Sequence, residues 1–137
     1  MAVERRHTWT VPLVPGSVRA ARERTERSLV LFGLAAGSSL FGAALLVVSE
    51  LVANAVRHAG RSPHAEVTLT MTDHLLVIDV GDLDPRPVTP AVLASGQGLR
   101  AVGELARLHA GDVRVEAAPA GHGKSVVVRF VLPEGTP

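Results

Sequence analysis

LLVVSELVANAVRHAG, residues Leu45–Gly60, carries leucine, valine and alanine at three- and four-residue spacing, which predicts a mostly buried helix. Glu50 and Asn54 interrupt the apolar run. They stand four residues apart, so both side chains leave the same face of that helix. Burying a carboxylate or a carboxamide without partners is costly, so the pair needs a reason to be there. One reading is a carboxylate base with a metal-binding amide beside it. The other is a surface stripe that Arg57 and His58 prolong toward solvent. Spacing alone leaves both open.

With 137 residues the chain makes one domain, residues 1–137 with a core over about 7–132, long enough to bury a real core. Hydrophobic residues at 47% and charged residues at 20% describe a globular chain. The net charge of +1 gives no ground for nucleic acid or a membrane surface as partner. Lys124 stands alone against thirteen arginines, a coding bias and not a binding signal. The lack of cysteine excludes disulfides, thiolate metal sites and cysteine nucleophiles. MAVERRHTWT at the start has no apolar centre and does not read as a secretory signal. Ser28 to Ser49 runs 22 residues without a charge, within the length of a membrane span. Gly33, Gly37, Ser38, Ser39 and Gly42 break it, and two buried helices meeting at a loop explain it better.

Outward from the central helix, His7–Leu13 alternates Trp9, Val11 and Leu13 against threonines and predicts an edge strand that tolerates Pro12. Ser17 is placed to cap an amphipathic helix running to about Gly33, with Val18, Ala21, Thr25, Leu29 and Phe32 on its buried face. The central helix starts near Ser38 or Ser39, with Gly60 as its stop. His64–Met71 and Leu75–Val80 predict two strands, the second of them central. A polar loop, Gly81–Pro87, follows. Gly96-Gln97-Gly98 leads into a helix over Leu99–Ala110, ended by Gly111-Asp112. Val113–Ala118 and Ser125–Leu132 are strands joined by a glycine-rich hairpin connection. Strand pairs at short spacing with about three helices predict an α+β fold. It is a two-layer sandwich with helices on one face of a mixed, mostly antiparallel sheet.

Three stretches could carry chemistry. Gly96 and Gly98 before a helix let the backbone approach a phosphate, a signal that is weak alone. Ala118–Ser125 nearly fits the phosphate loop G-x-x-x-x-G-K-[ST], but β-branched Val126–Leu132 follows where that loop needs a helix, so it reads as a hairpin turn. The third is the set formed by Glu50, Asn54, Asp82, Gly96 and Gly98 in that order. Asp79 is an alternative acid, set inside the strand pattern. The six histidines show no metal-ligand spacing such as H-E-x-x-H, and no G-x-S-x-G occurs.

Ser49–Ala59, SELVANAVRHA, resembles the N box of the GHKL superfamily of ATPases and kinases. Leu76–Pro87 resembles the region of its first glycine box and Gly96–Val102 its second. The likeness runs from about Val11 to Leu132 and is nearest to the single-domain anti-sigma-factor serine kinases of bacteria. The resemblance implies the Bergerat-type ATP-binding fold and a cytoplasmic regulatory protein serine/threonine kinase. It would use ATP and Mg²⁺ and phosphorylate a small antagonist protein. A sigma factor as second partner and a homodimer are compatible with it. A non-catalytic nucleotide- or protein-binding module is the alternative. By the same resemblance Glu50 is the general base and Asn54 the Mg²⁺ ligand, while Asp82 accepts the adenine amino group. Gly96, Gln97, Gly98 and Leu99 wrap the phosphates through backbone N–H groups. Arg100 is the nearby cation, Ser125 helps hold adenine through water, and Val88–Ser95 is the lid. The family's D-x-G-x-G is not kept, since Asp82 is followed by Leu83, Asp84, Pro85 and Arg86.

Overall fold

The structure, a computed structural model, describes residues 4–58, 62–84, 97–117 and 123–133, with the side chains of residues 97 and 98 not described. The elements follow in the order β1 (Arg5–Pro12), α1 (Ser17–Leu31), α2 (Ser39–His58), β2 (His64–Met71), β3 (Leu75–Asp82), α3 (Gln97–Leu108), β4 (Asp112–Ala117) and β5 (Lys124–Val131). The strands form one five-stranded sheet in the order β1-β2-β3-β5-β4, and every pairing is antiparallel. Thus β3 is central, and the chain passes from it through α3 to the far edge before β5 inserts between them.

Side chains alternate across a strand, so the burial pattern shows which face is covered. Ala65, Val67 and Leu69 of β2, Leu76, Ile78 and Val80 of β3, and Val126, Val128 and Phe130 of β5 join one core with the apolar faces of the helices. Burying each of the larger side chains is worth about 1.5–3 kcal/mol. α2 is the centre of the helical layer and packs against α1, α3 and β3. At twenty residues it is long and apolar enough to cross a membrane by length and composition alone, yet Leu40, Phe41, Leu45, Val47, Val48, Leu51 and Val52 are all buried inside this fold.

The uncharged run from Ser28 to Ser49 divides between two helices, as its glycines predict. Leu34 N–H donates to Leu29 O at 3.0 Å and Gly33 N–H to Val30 O at 3.0 Å, with Gly33 at φ 91°. That is a Schellman ending, which uses glycine's tolerance of positive φ. Ser38 then caps α2, its hydroxyl accepting the Phe41 N–H at 3.2 Å. Ser17 does not cap α1. Gly16, left-handed at φ 94°, holds the cap position without a side-chain bond, which turns Ser17 into the helix and buries it. At the end of α3, Ala110 takes the left-handed position at φ 57°. Gly111 is needed elsewhere, because a Cβ there would fall 1.6 Å from the Arg129 carbonyl oxygen. Gly60, the segment 88–95 expected as a lid and the connection 118–122 lie outside the described residues.

Candidate functional site

Glu50 and Asn54 sit one turn apart on α2, flanked by buried Leu51, Val52 and Ala55. Both are half-buried, on the flank of the helix that leaves Leu46 and Arg57 exposed. Neither side chain has a hydrogen bond or ion pair to another described residue. Partial exposure lowers the cost of burying them, and among the described residues nothing takes up their oxygen lone pairs.

Asp82 closes β3. In register it faces Ala65 of β2 on one side and Lys124 of β5 on the other. Directly opposed residues of antiparallel strands share a face. Ala65 is fully buried in the core, so Asp82 and Lys124 lie on the helix-covered face of the sheet. The Lys124 Nζ donates to Asp82 Oδ1 at 3.2 Å, and the two side chains keep only 15% and 10% of their exposure. The same oxygen accepts the Asp84 N–H at 2.9 Å. Leu83 N–H donates to Ser62 Oγ at 2.9 Å, and Ser62 Oγ donates to His64 O at 2.7 Å. Asp84 is buried, at 1% exposure. The segment after β3 is therefore a fastened turn, where the sequence lacks the glycines of the resembled box.

Asp79, three residues earlier, points to the other face. Its register partners there are Thr68 and Val127, and its carboxyl is hydrogen-bonded to Ser125. Burial pushes its pKa above the ordinary carboxylate value, with Glu116 and Glu66 adding to the rise against the lowering bond from Ser125. Ser125 does not join Asp82: β5 begins at Lys124, so its second residue projects to the face opposite the helices. A Cβ on Gly81 would stand 2.8 Å from Ser125 Oγ, which shows how closely that hydroxyl lies over β3.

The remaining residues belong to the start of α3. Gln97 and Gly98 form its first turn. Leu99 is buried, at 8% exposure, and anchors the helix in the core, so only its backbone N–H is offered at the helix start. Arg100 is exposed, and Gly96 lies outside the described residues. Because α2 packs on both β3 and α3, it links the three elements that carry the set. Sequence reasoning missed Lys124, which it left in a hairpin turn. Its signal was the strand that begins immediately after the glycine-rich connection, which puts a lone lysine opposite the end of β3.

Residues 43–136 match the family described as Histidine kinase-, DNA gyrase B-, and HSP90-like ATPase, and that span includes every residue of the set. No match is found among curated proteins. Among solved structures, the RsbU and RsbW domains of Rv1364c from Mycobacterium tuberculosis align with a TM-score of 0.64 and 17% identity over 94% of this chain. This chain spans 33% of that one. The SiaB-SiaC complex from Pseudomonas aeruginosa aligns with a TM-score of 0.62 and 15% identity, covering 92% of this chain and 88% of that one. These structures share the sandwich of helices on an antiparallel sheet. With the match over residues 43–136, the chain belongs to the histidine kinase-, DNA gyrase B- and HSP90-like family of ATP-binding domains.

Proposed function

We propose that the chain is an ATP-dependent protein serine/threonine kinase of the anti-sigma-factor type, acting on a small antagonist protein. The observation that carries this reading is the Glu50–Asn54 pair, half-exposed and without a hydrogen bond or ion pair among the described residues, on the helix that packs against both β3 and α3. A half-exposed carboxylate beside a half-exposed carboxamide serves proton transfer and a hard cation better than it serves the core.

Glu50 takes the proton from a serine hydroxyl of the partner as that oxygen attacks the γ-phosphorus of ATP. The bond from the γ-phosphorus to the bridging oxygen breaks, and ADP leaves with the electron pair. Asn54 fits Mg²⁺ through its carboxamide oxygen, and the ion supplies charge neutralisation on the phosphates when bound. Asp82 accepts a hydrogen bond from the adenine amino group. The first-turn N–H groups of α3, from Gln97, Gly98 and Leu99, face phosphate oxygens, with Gly96 before them and Arg100 as the adjoining cation. Ser125 lies on the opposite face and has no part in this arrangement. The partner is a protein, in keeping with the SiaB-SiaC structure being that of a complex. A sigma factor and a second copy of the chain are further partners of this class.

The fastened turn after Asp82 favours a second reading, a regulatory module that binds nucleotide or protein without transferring phosphate. Calorimetric titration with ATP and ADP, with and without Mg²⁺, separates the alternatives when run on wild type, Asn54→Ala and Asp82→Ala. ATP binding that Asp82→Ala abolishes, with Mg²⁺ dependence that Asn54→Ala removes, supports the kinase site. A wild type that binds no nucleotide at millimolar concentration sinks both nucleotide readings.

A further inference from the structure

We infer that Lys124 is a positioning residue for nucleotide recognition, holding the Asp82 carboxylate so that its second oxygen, Oδ2, faces the adenine. The inference rests on the reading of Asp82 given above. Both recorded bonds to this carboxylate fall on Oδ1, from Lys124 Nζ at 3.2 Å and from the Asp84 N–H at 2.9 Å. Among the described residues Oδ2 has no donor. Two donors on one oxygen fix the rotation of the carboxylate plane and leave the other as the acceptor available to an amino group.

Two further features bring the lysine there. Lys124 is the direct cross-strand neighbour of Asp82, so the register of β3 and β5 sets the pair before any ligand arrives. Gly123, at φ 89°, lets the start of β5 press onto β3, since a Cβ at that position would lie 1.9 Å from the Asp82 carbonyl oxygen. The pair is largely shielded, at 15% and 10% exposure. Removing the ammonium would leave a shielded carboxylate with one backbone donor and free to turn. An exposed ion pair would have no such effect.

The test is calorimetric titration of ATP, adenosine and GTP into wild type, Lys124→Met, Lys124→Gln and Lys124→Arg, each with a thermal melt. Lys124→Met is expected to lose roughly tenfold or more in affinity for ATP and adenosine, the worth of one charge-assisted hydrogen bond. Its affinity for GTP stays as in wild type, so the ATP-to-GTP ratio collapses. Lys124→Arg restores that ratio, and Lys124→Gln, which donates without charge, falls between. Structural damage alone would lower ATP and GTP together. Equal losses for the two nucleotides overturn the inference, as does a Lys124→Met chain that binds ATP like wild type. A wild type that binds no adenine nucleotide overturns the functional reading first, and this inference with it.

Discussion

Gly123→Ala is the substitution whose cost can be worked most directly. Gly123 sits at φ 89°, and a Cβ would stand 1.9 Å from the Asp82 carbonyl oxygen and 2.9 Å from Leu83 Cα. Forcing alanine into the left-handed region costs about 1–2 kcal/mol. Relieving the overlap means moving one strand end off the other, a distortion of the kind that costs about 1–3 kcal/mol. The sum is about 2–5 kcal/mol, a fall in Tm on the order of 10 °C. Two controls divide that sum. Gly33→Ala has φ 91° and nothing within 4 Å, so it carries the conformational part alone. Gly111→Ala has no positive φ to overcome but would place its Cβ 1.6 Å from the Arg129 carbonyl oxygen, so it carries the steric part. Arg129 lies about 16 Å along β5 from Lys124 at the usual strand rise. Calorimetric melts of the three variants, each followed by ATP titration well below its Tm, give both readouts. Gly123→Ala should melt lowest against Gly33→Ala and lose ATP affinity, while Gly111→Ala is destabilised but binds ATP as wild type does. A Gly123→Ala chain that melts with Gly33→Ala and keeps its ATP affinity would refute the close approach at Asp82.

Other outcomes follow from the same geometry. Asp79→Asn should raise stability at neutral pH. The fold lifts this carboxyl above its ordinary 3.8, so ionising it opposes folding. The gain is full above the folded pKa and vanishes once pH falls below 3.8, where both states are protonated; melts across that range check it. Asp112 has the opposite sign. The Arg129 hydrogen bond holds its carboxyl below the usual range, so its contribution is present at neutral pH and is lost as pH falls through the lowered value. Because Asp112 is 46% exposed, an Arg129→Met melt at neutral pH should move only slightly. On the proposed kinase reading, Glu50→Gln should bind ATP with wild-type affinity yet transfer no phosphate to a partner serine, read with γ-labelled ATP. Phe130→Ala, at a fully buried position near the end of β5, should cost about 3–5 kcal/mol in denaturant unfolding.

Most of the fold was legible because its signals are local. Alternation marked His64–Met71 to the residue, and three-four spacing marked the three described helices within two residues at most ends. The insertion of β5 between β3 and β4 was not legible, since it depends on which strands meet across α3 and not on any one segment. The candidate site divided the same way. Glu50 and Asn54 share a helix face by arithmetic. Asp79 and Asp82 are an odd number of residues apart in one strand, so their opposite faces were implied once the strand was extended to Asp82. Ser125 was different. The glycine-rich connection leaves the first residue of β5 undetermined from sequence, and a shift of one residue moves every side chain to the other face. That register also pairs Lys124 with Asp82, residues 42 positions apart.

Trp9, the chain's one tryptophan, lies on edge strand β1 opposite Val67 of β2. Its Nε1 is sealed from solvent without a partner among the described residues, and the Arg24 guanidinium rests 5.4 Å from the ring centroid. The chain therefore has a built-in fluorophore that watches the seam between β1 and α1, with β2 between it and the strand that ends in Asp82. Its emission should shift red when that seam opens. Circular dichroism, by contrast, follows all the helices and strands together. Running both on one denaturant series measures whether the N-terminal edge peels away before the rest or goes with it in a single step.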